Sequence, residues 1–305
     1  MSFFSNLVVA QAARTLQIIH RGENFESLKE KLQLADGPAG YDKLRTFLFM
    51  IGDKGRYFRK EARTKLAVNN ETIGFGDTSQ AAFGYIFEKF NLIFSNNTGP
   101  AVTSFIKNNA PFSQYFLSRR NKRSFQTQAA KYPEIDRLLI RDYYLEALHH
   151  TGKSGLDKMS MFVSTSKNSA TARDFATSQS EFGIIIIGWV PLTGHYHPSP
   201  ALKARDIQRI LQPSKLPKYR KPFYRRQEEV ALKGGFLAHF MVGFARLKDQ
   251  TFELNPALFS QTKPVSEILK EGFDIDQRSF LDSLRDTDYA GFYVVDELGN
   301  YWGTL

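Results

Sequence analysis

The chain has 305 residues, 42% hydrophobic and 24% charged, with a formal net charge of +10 and a pI near 9.6. That length can bury a proper core as one large domain or two modest ones, and the charge implies a surface drawn to anions: nucleic acid, acidic lipid, phosphate-bearing cofactors or an acidic protein. There is no cysteine, which excludes disulfides, thiolate catalysis and Cys-based zinc sites, and no run of about 18 apolar residues is present to span a bilayer.

The opening "MSFFSNLVVAQAAR" has a short apolar run and the small-residue "AQA" but no positive leader, so it reads as the start of an amphipathic helix rather than a signal peptide. From Ser5 to about Lys131 the apolar residues recur mostly at helical spacing: "LVVAQAARTLQIIH", "FESLKEKLQL", "YDKLRTFLFMI" and "AAFGYIFEKFNLIF" all predict amphipathic helices. Gly and Asn clusters such as "NNETIGFGD" and "SNNTGP" punctuate them. After "KYPEI" the texture changes. "SMFVSTS" predicts a short strand, and "SATARDFATS" a helix with Ala172, Phe175 and Ala176 on one face. "FGIIIIGWVP" predicts a buried strand closed by Pro191. "EVALKG" and "FLAHFMVGFARL" predict two more strands, and "AGFYVVDELGNYWGTL" a hairpin around Gly299–Asn300. The expected architecture is α+β, divided into a helical region over 1–130 and a β-rich domain over 131–305 that ends in the hairpin.

Two local patterns invite chemistry and lack the surroundings it needs. "ALHHTGKS" (Ala147 to Ser154) fits the phosphate-loop spacing, but such a loop needs an apolar strand before it and a substantial helix after it. Here "RDYYLE" precedes, and the next strand follows almost at once. His149–His150 and His195–Tyr196–His197 lack the i, i+4 spacing of a helix-borne metal site. No metal is expected.

A more specific pattern runs from "FVSTSKNSATARDFA" to "QEEVALKGG". A strand ends in Ser164, Thr165 and Ser166, and a helix begins a few residues later. Then come the apolar strand "GIIIIGWVP", a basic loop, and Gln227–Glu228–Glu229 opening another strand. Over roughly Leu138 to Leu247 this order resembles the core of mono-ADP-ribosyltransferases of the Arg–Ser–Glu class. That class has an Arg on its first core strand, a Ser-Thr-Ser strand, and a Glu-x-Glu or Gln-x-Glu element opening a later strand. The resemblance implies a split β-sheet core of the ADP-ribosyltransferase type. Its first position has three candidates: Arg141 in "LLIRDYY", the leading choice; His149 in "LHHTG", by analogy with the related His–Tyr–Glu class; and Arg21 in "IIHRG", which lies very far from the Ser-Thr-Ser strand.

The resemblance also implies NAD as the donor of ADP-ribose. Breaking the bond from nicotinamide to ribose builds oxocarbenium character on the sugar. Glu229 would hold the ribose 2′-hydroxyl more tightly as that charge develops. Arg141 would grip the pyrophosphate by bidentate bonds. Ser164 would support Glu229 and the pocket wall, beside Thr165 and Ser166. Period-two alternation would put Gln227 on the face of Glu229, where a neutral amide suits an amide-like or nucleobase acceptor. Glu228 would point away and form a salt bridge.

In the family the loop before this last strand recognises the target. Here it carries Lys215, Lys218, Arg220, Lys221, Arg225 and Arg226 interleaved with Tyr219, Phe223 and Tyr224. Cations that meet phosphates and rings that stack on bases suit single-stranded nucleic acid, and "SRRNKR" at Ser118 to Arg123 could extend the track. An acidic protein, or a protein amide side chain as acceptor, is the competing expectation. So is a non-catalytic basic binding module on the same fold. A toxin, effector or defence enzyme acting in the cytoplasm would fit, with an antitoxin or chaperone as a partner that protects its producer.

Overall fold

The computed structural model describes residues 16–36, 38–51, 77–96, 99–151, 162–178, 183–191, 211, 215–220, 227–233, 236, 241–255, 291–295 and 301–304. In chain order the elements are β1 (Leu16–Asn24), α1 (Phe25–Leu32) and α2 (Pro38–Thr46), the last continuing as a π-helical turn, Phe47–Ile51. There follow α3 (Gln80–Asn96), α4 (Pro100–Asn108), α5 (Ala110–Leu117), α6 (Asn121–Ala130) and α7 (Glu134–His149). Then come β2 (Phe162–Ser166), α8 (Ser169–Thr177), β3 (Gly183–Pro191) and β4 (Glu229–Lys233). The last strands are β5 (Met241–Arg246), β6 (Thr251–Leu254), β7 (Tyr293–Val295) and β8 (Tyr301–Thr304). The architecture is α+β, with the strands in one sheet of order β4-β2-β1-β3-β5-β6-β7-β8. No described helix is long and apolar enough to cross a membrane.

The chain forms two compact units. A sheet unit takes Met1–Arg56, Val163–Ala201 and Gln227–Leu305, and a helical unit takes Tyr57–Phe162 and Leu202–Arg226. This partition corrects the expected division at residue 130. The reason lies in "LQIIHRGEN", whose expected helix is strand β1; the preceding residues 1–15 lie outside the described residues. A short apolar run of this kind fits either period, and pairing decides it. All nine residues of β1 run antiparallel to β3, from Leu16↔Pro191 to Asn24↔Gly183. Asn24 then ends the strand and caps α1, its Oδ1 accepting from the backbone N–H groups of Glu26 (3.1 Å) and Ser27 (3.3 Å).

One face of the sheet carries a large core cluster. Ile19, Val163, Ile184, Ile186, Val230, Leu232 and Phe244 pack with Leu28, Leu34, Leu44, Leu48 and Phe49 from α1, α2 and the segments that follow them. Against β1 and β3 lies α8, capped by Asn168. Its approach is close enough that a Cβ on Gly22 would stand 1.7 Å from the Ala172 carbonyl oxygen, and one on Gly183 would stand 2.5 Å from that of Ala176. Ala172 and Ala176 are buried as expected, but Phe175 is 52% exposed and leaves that face. The strand β6 had no counterpart in the sequence reading; it pairs antiparallel with β5 and parallel with β7. The expected C-terminal hairpin strands pair antiparallel, from Tyr293↔Thr304 to Val295↔Tyr301, and residues 296–300 between them lie outside the described residues.

The helical unit is built on aromatic rings. Phe83, Phe87, Phe90 and Phe94 of α3 meet Phe112 and Phe116 of α5, Phe125 of α6 and Tyr144 of α7. Centroids stand 4.5 Å apart for Phe90–Phe116 and 5.0 Å for Phe125–Tyr144, within the range where ring pairs add to area burial.

Two predictions follow from this packing. Gly22→Ala forces a methyl into the backbone of α8 and should cost about 2–3 kcal/mol in urea unfolding, whereas Phe175→Ala should stay within about 0.5 kcal/mol of wild type. Tyr144 is fully buried, its hydroxyl donating to the Pro217 carbonyl at 2.7 Å, and burial pushes that hydroxyl well above the ordinary 10.0. Because the unfolded chain loses this proton first, its contribution is intact below about pH 10 and falls as pH rises further. Tyr144→Phe should flatten the alkaline loss of stability in pH-dependent unfolding, at a cost of about 1–2 kcal/mol at neutral pH.

Candidate functional site

Strand β2 is where the chemistry-bearing segments of the sheet unit meet. On one side it neighbours β1, in register at His20↔Ser166. Arg21, the next residue along β1, reaches across with its side chain: Nη1 donates to the Ser164 carbonyl oxygen at 2.7 Å. The same guanidinium pairs through Nη2 with Glu23, two residues on and thus on the same face of the strand. Both are largely enclosed, with side-chain exposures of 15% and 8%. A guanidinium presents a planar fork of donors, so it can serve a carbonyl and a carboxylate at once.

On the other side β2 neighbours β4, and its hydroxyls make the connection. Thr165 Oγ1 donates to the Val230 carbonyl at 2.6 Å, and Ser166 Oγ to the Gln227 carbonyl at 2.5 Å. Ser166 Oγ also accepts from the Asn168 N–H at 2.9 Å, and the Lys167 N–H donates to the Glu228 carbonyl at 3.1 Å. Glu229 opens β4 and is half-buried, as is Ser164. Val163 and Val230 belong to the core cluster, so alternation assigns Ser164 and Glu229 to the opposite face. Ser-Thr-Ser is thus more than a polar strand end: two of its hydroxyls fix the backbone from Gln227 to Val230.

Three expectations need correction. Arg141 lies on helix α7 of the helical unit, not on a core strand, and is 0% exposed. Its Nε donates to Asp142 at 2.8 Å, its Nη2 bonds the same carboxylate, and its Nη1 donates to the Asp77 carbonyl at 3.0 Å. A buried guanidinium has to be met in this way, and here that commits it to holding the unit together. Tyr219, expected to stack on an acceptor, is 5% exposed and stacks on Tyr143, with centroids 4.6 Å apart and planes within 4°. Gln227 does not inherit the face of Glu229 by alternation, because Glu228 between them has φ of 44° and period two needs extended backbone. Glu228 itself is exposed and forms no ion pair with a described residue.

His149 closes α7 in the helical unit, its ring 6.2 Å from that of Phe162. Phe223, Tyr224, Arg225 and Arg226, with Lys221, lie outside the described residues. So do His195, His197 and the Gly152–Ser154 end of the phosphate-loop pattern. Among the described residues no group of three or more His, Asp or Glu side chains could hold a metal ion. The sequence reading missed Glu23 as the partner of Arg21. The signal available was "IIHRGEN" itself: two β-branched residues, a basic residue, an acidic residue two positions on, and a helix-capping Asn.

Compared with protein-family models, curated proteins and solved structures, the chain matches none.

Arg21→Met removes the cation beside Glu23 and the donor to Ser164. It should cost about 2–4 kcal/mol in urea unfolding, and Arg21→Met with Glu23→Leu should recover part of that loss.

Proposed function

We propose that the chain is a mono-ADP-ribosyltransferase that cleaves NAD and transfers ADP-ribose to a macromolecular acceptor. One observation carries the reading. The Arg-bearing strand, the Ser-Thr-Ser strand and the strand opened by Gln-x-Glu are sheet neighbours β1, β2 and β4, joined by Arg21 to Ser164 and by Thr165 to Val230. Arg21 and Ser164 are 143 positions apart in sequence, so nothing local requires them to meet. On this reading the first motif position belongs to Arg21, and the resemblance extends from Leu138–Leu247 to include β1.

The chemistry follows from the residue types. The glycosidic bond from nicotinamide nitrogen to ribose C1′ breaks, its electron pair leaving with nicotinamide, and the sugar carbon becomes oxocarbenium-like. The Glu229 carboxylate accepts a hydrogen bond from the ribose 2′-hydroxyl, an interaction that strengthens as positive charge grows on the ring. Arg21 contributes positive charge toward the pyrophosphate. Ser164 supports the wall, while Thr165 and Ser166 fix the backbone that presents Glu229. The acceptor nucleophile then forms the new bond to C1′ and gives up its proton. Gln227, an amide able to donate and accept, suits a nucleobase or a protein amide in that role, and the basic composition of the chain favours nucleic acid. Such an enzyme fits a toxin, effector or defence protein acting in the cytoplasm, held in check by an antitoxin or chaperone.

Incubation with adenylate-labelled NAD and cell extract tests the reading. The wild type should label a macromolecular fraction and release nicotinamide, and Glu229→Gln should lower the rate about 10²–10³-fold. Loss of label to nuclease identifies nucleic acid as the acceptor, whereas loss to protease alone identifies protein. Undiminished transfer by Glu229→Gln would remove the assignment. A wild type that neither transfers ADP-ribose nor hydrolyses NAD would leave a binding module.

A further inference from the structure

The positive charge of the chain is segregated. The segments of the helical unit carry 24 Lys and Arg against 10 Asp and Glu, those of the sheet unit 17 against 21. The excess that makes the protein basic therefore lies wholly in the unit that has no part in the Arg21–Ser164–Glu229 cluster.

Within the helical unit a cavity of about 460 Å³ opens where α4 gives way to α5. Asn108, Asn109, Lys215, Lys218 and Arg220 line it beside Phe112, with no carboxylate among the described lining residues. The segment that brings the three cations is firmly held. Pro217 accepts from the Tyr144 hydroxyl at 2.7 Å, the Tyr219 N–H donates to the Tyr143 hydroxyl oxygen at 3.1 Å, and the Arg220 N–H donates to Asn109 Oδ1 at 2.8 Å. Leu216 and Tyr219 turn inward while Lys215 and Arg220 remain exposed. At the same wall α5 begins, with Pro in its first turn and no side-chain cap, so its positive end adds to the field of the cations.

We propose that this cavity binds the phosphodiester backbone of single-stranded nucleic acid. Ammonium and guanidinium groups carried on a fixed backbone around a concave wall match phosphate oxygens, and a backbone already in place lowers the entropy cost of binding. A flat lipid surface cannot enter a cavity. The cavity's volume lies in the roughly 300–1,000 Å³ range of small-molecule sites. At the far end of α5 stand Arg119, Arg120 and Arg123, and eight helical residues rise about 12 Å. A chain of phosphates can meet cations at both ends of that helix, which a single nucleotide cannot. The proposal does not rest on NAD chemistry, and its test omits NAD.

The full-length protein is titrated into fluorescein-labelled single-stranded 15-nucleotide RNA and DNA, with anisotropy read between about 50 and 200 mM salt. Wild type should bind with affinity falling steeply as salt rises. The triple variant Lys215→Gln, Lys218→Gln, Arg220→Gln should bind at least about tenfold more weakly and lose about 2 from the slope of log K against log salt, since each phosphate contact on a single strand contributes about 0.7. Asn108→Asp, which places a carboxylate in the wall, should weaken binding in the same direction and provides the reading should the triple variant fail to fold by circular dichroism. No binding by wild type, or undiminished binding by the folded variants, overturns the proposal. So does equal affinity for labelled polyglutamate with the same losses, which identifies an acidic-peptide site, or an affinity for ADP that matches the oligonucleotide's, which identifies a free-phosphate site.

Discussion

A five-residue strand, β2, holds the sheet unit's candidate site together, and it does so largely through side chains. On its β1 flank Arg21 delivers a hydrogen bond to the Ser164 carbonyl; on its β4 flank the hydroxyls of Thr165 and Ser166 take hold of Val230 and Gln227. Such bonds add side-chain ties to those of the sheet ladder and give polar groups at the strand end their partners. They also leave the backbone around Glu229 with little freedom, which is what a carboxylate needs if it is to act on a developing charge without reorganising first. The nine-residue pairing of β1 with β3 supplies the rigid base from which Arg21 reaches.

Ile184 to Ile187 are all buried, so β3 is covered on both faces. β-branched residues of β1, β3 and β4 turn toward α1 and α2, while Gly22 and Gly183 let α8 pack directly against the strand backbone. Elsewhere the arginines are engaged for structural ends. Glu253, 1% exposed, is held by Arg45 at 2.6 Å and Arg246 at 3.3 Å, and Arg141 is enclosed with Asp142. Arg21 is paired as well, with Glu23. It differs from Arg141 in place and exposure: it stands on β1 beside Ser164 and keeps 15% of its side chain exposed, whereas Arg141 is 0% exposed on a helix of the other unit.

Much of the fold was legible in the residues, and what was not has physical reasons. "GIIIIGWVP" reads as a buried strand from its length, β-branching and closing Pro191, and the strands around "FVSTS" and "EVALK" followed from length and β-branching. "LQIIHRGEN" was misread because apolar residues in a short run satisfy both periods, and only its partner β3, some 160 residues on, chooses between them. Arg141 attracted attention through its short distance along the chain to Ser164, yet a helix of the other unit absorbs it. Distance in sequence places Arg21 behind Arg141 among the three candidates, and a sheet ladder makes that distance irrelevant. The candidate site was legible in its Ser-Thr-Ser and Gln-x-Glu parts, where hydroxyl and carboxylate chemistry is written locally. It was illegible where a left-handed residue, Glu228 at φ 44°, breaks the alternation that sequence reasoning assumed.

The central claim is that Arg21, Ser164 and Glu229 together form one NAD site. A crystal structure of Glu229→Gln soaked with NAD tests it most directly. The claim predicts the nicotinamide ribose against residue 229, its 2′-hydroxyl within hydrogen-bond distance, and the pyrophosphate on the Arg21 side of β2. Ordered NAD bound away from β2 in a crystal whose sheet unit is intact would contradict it.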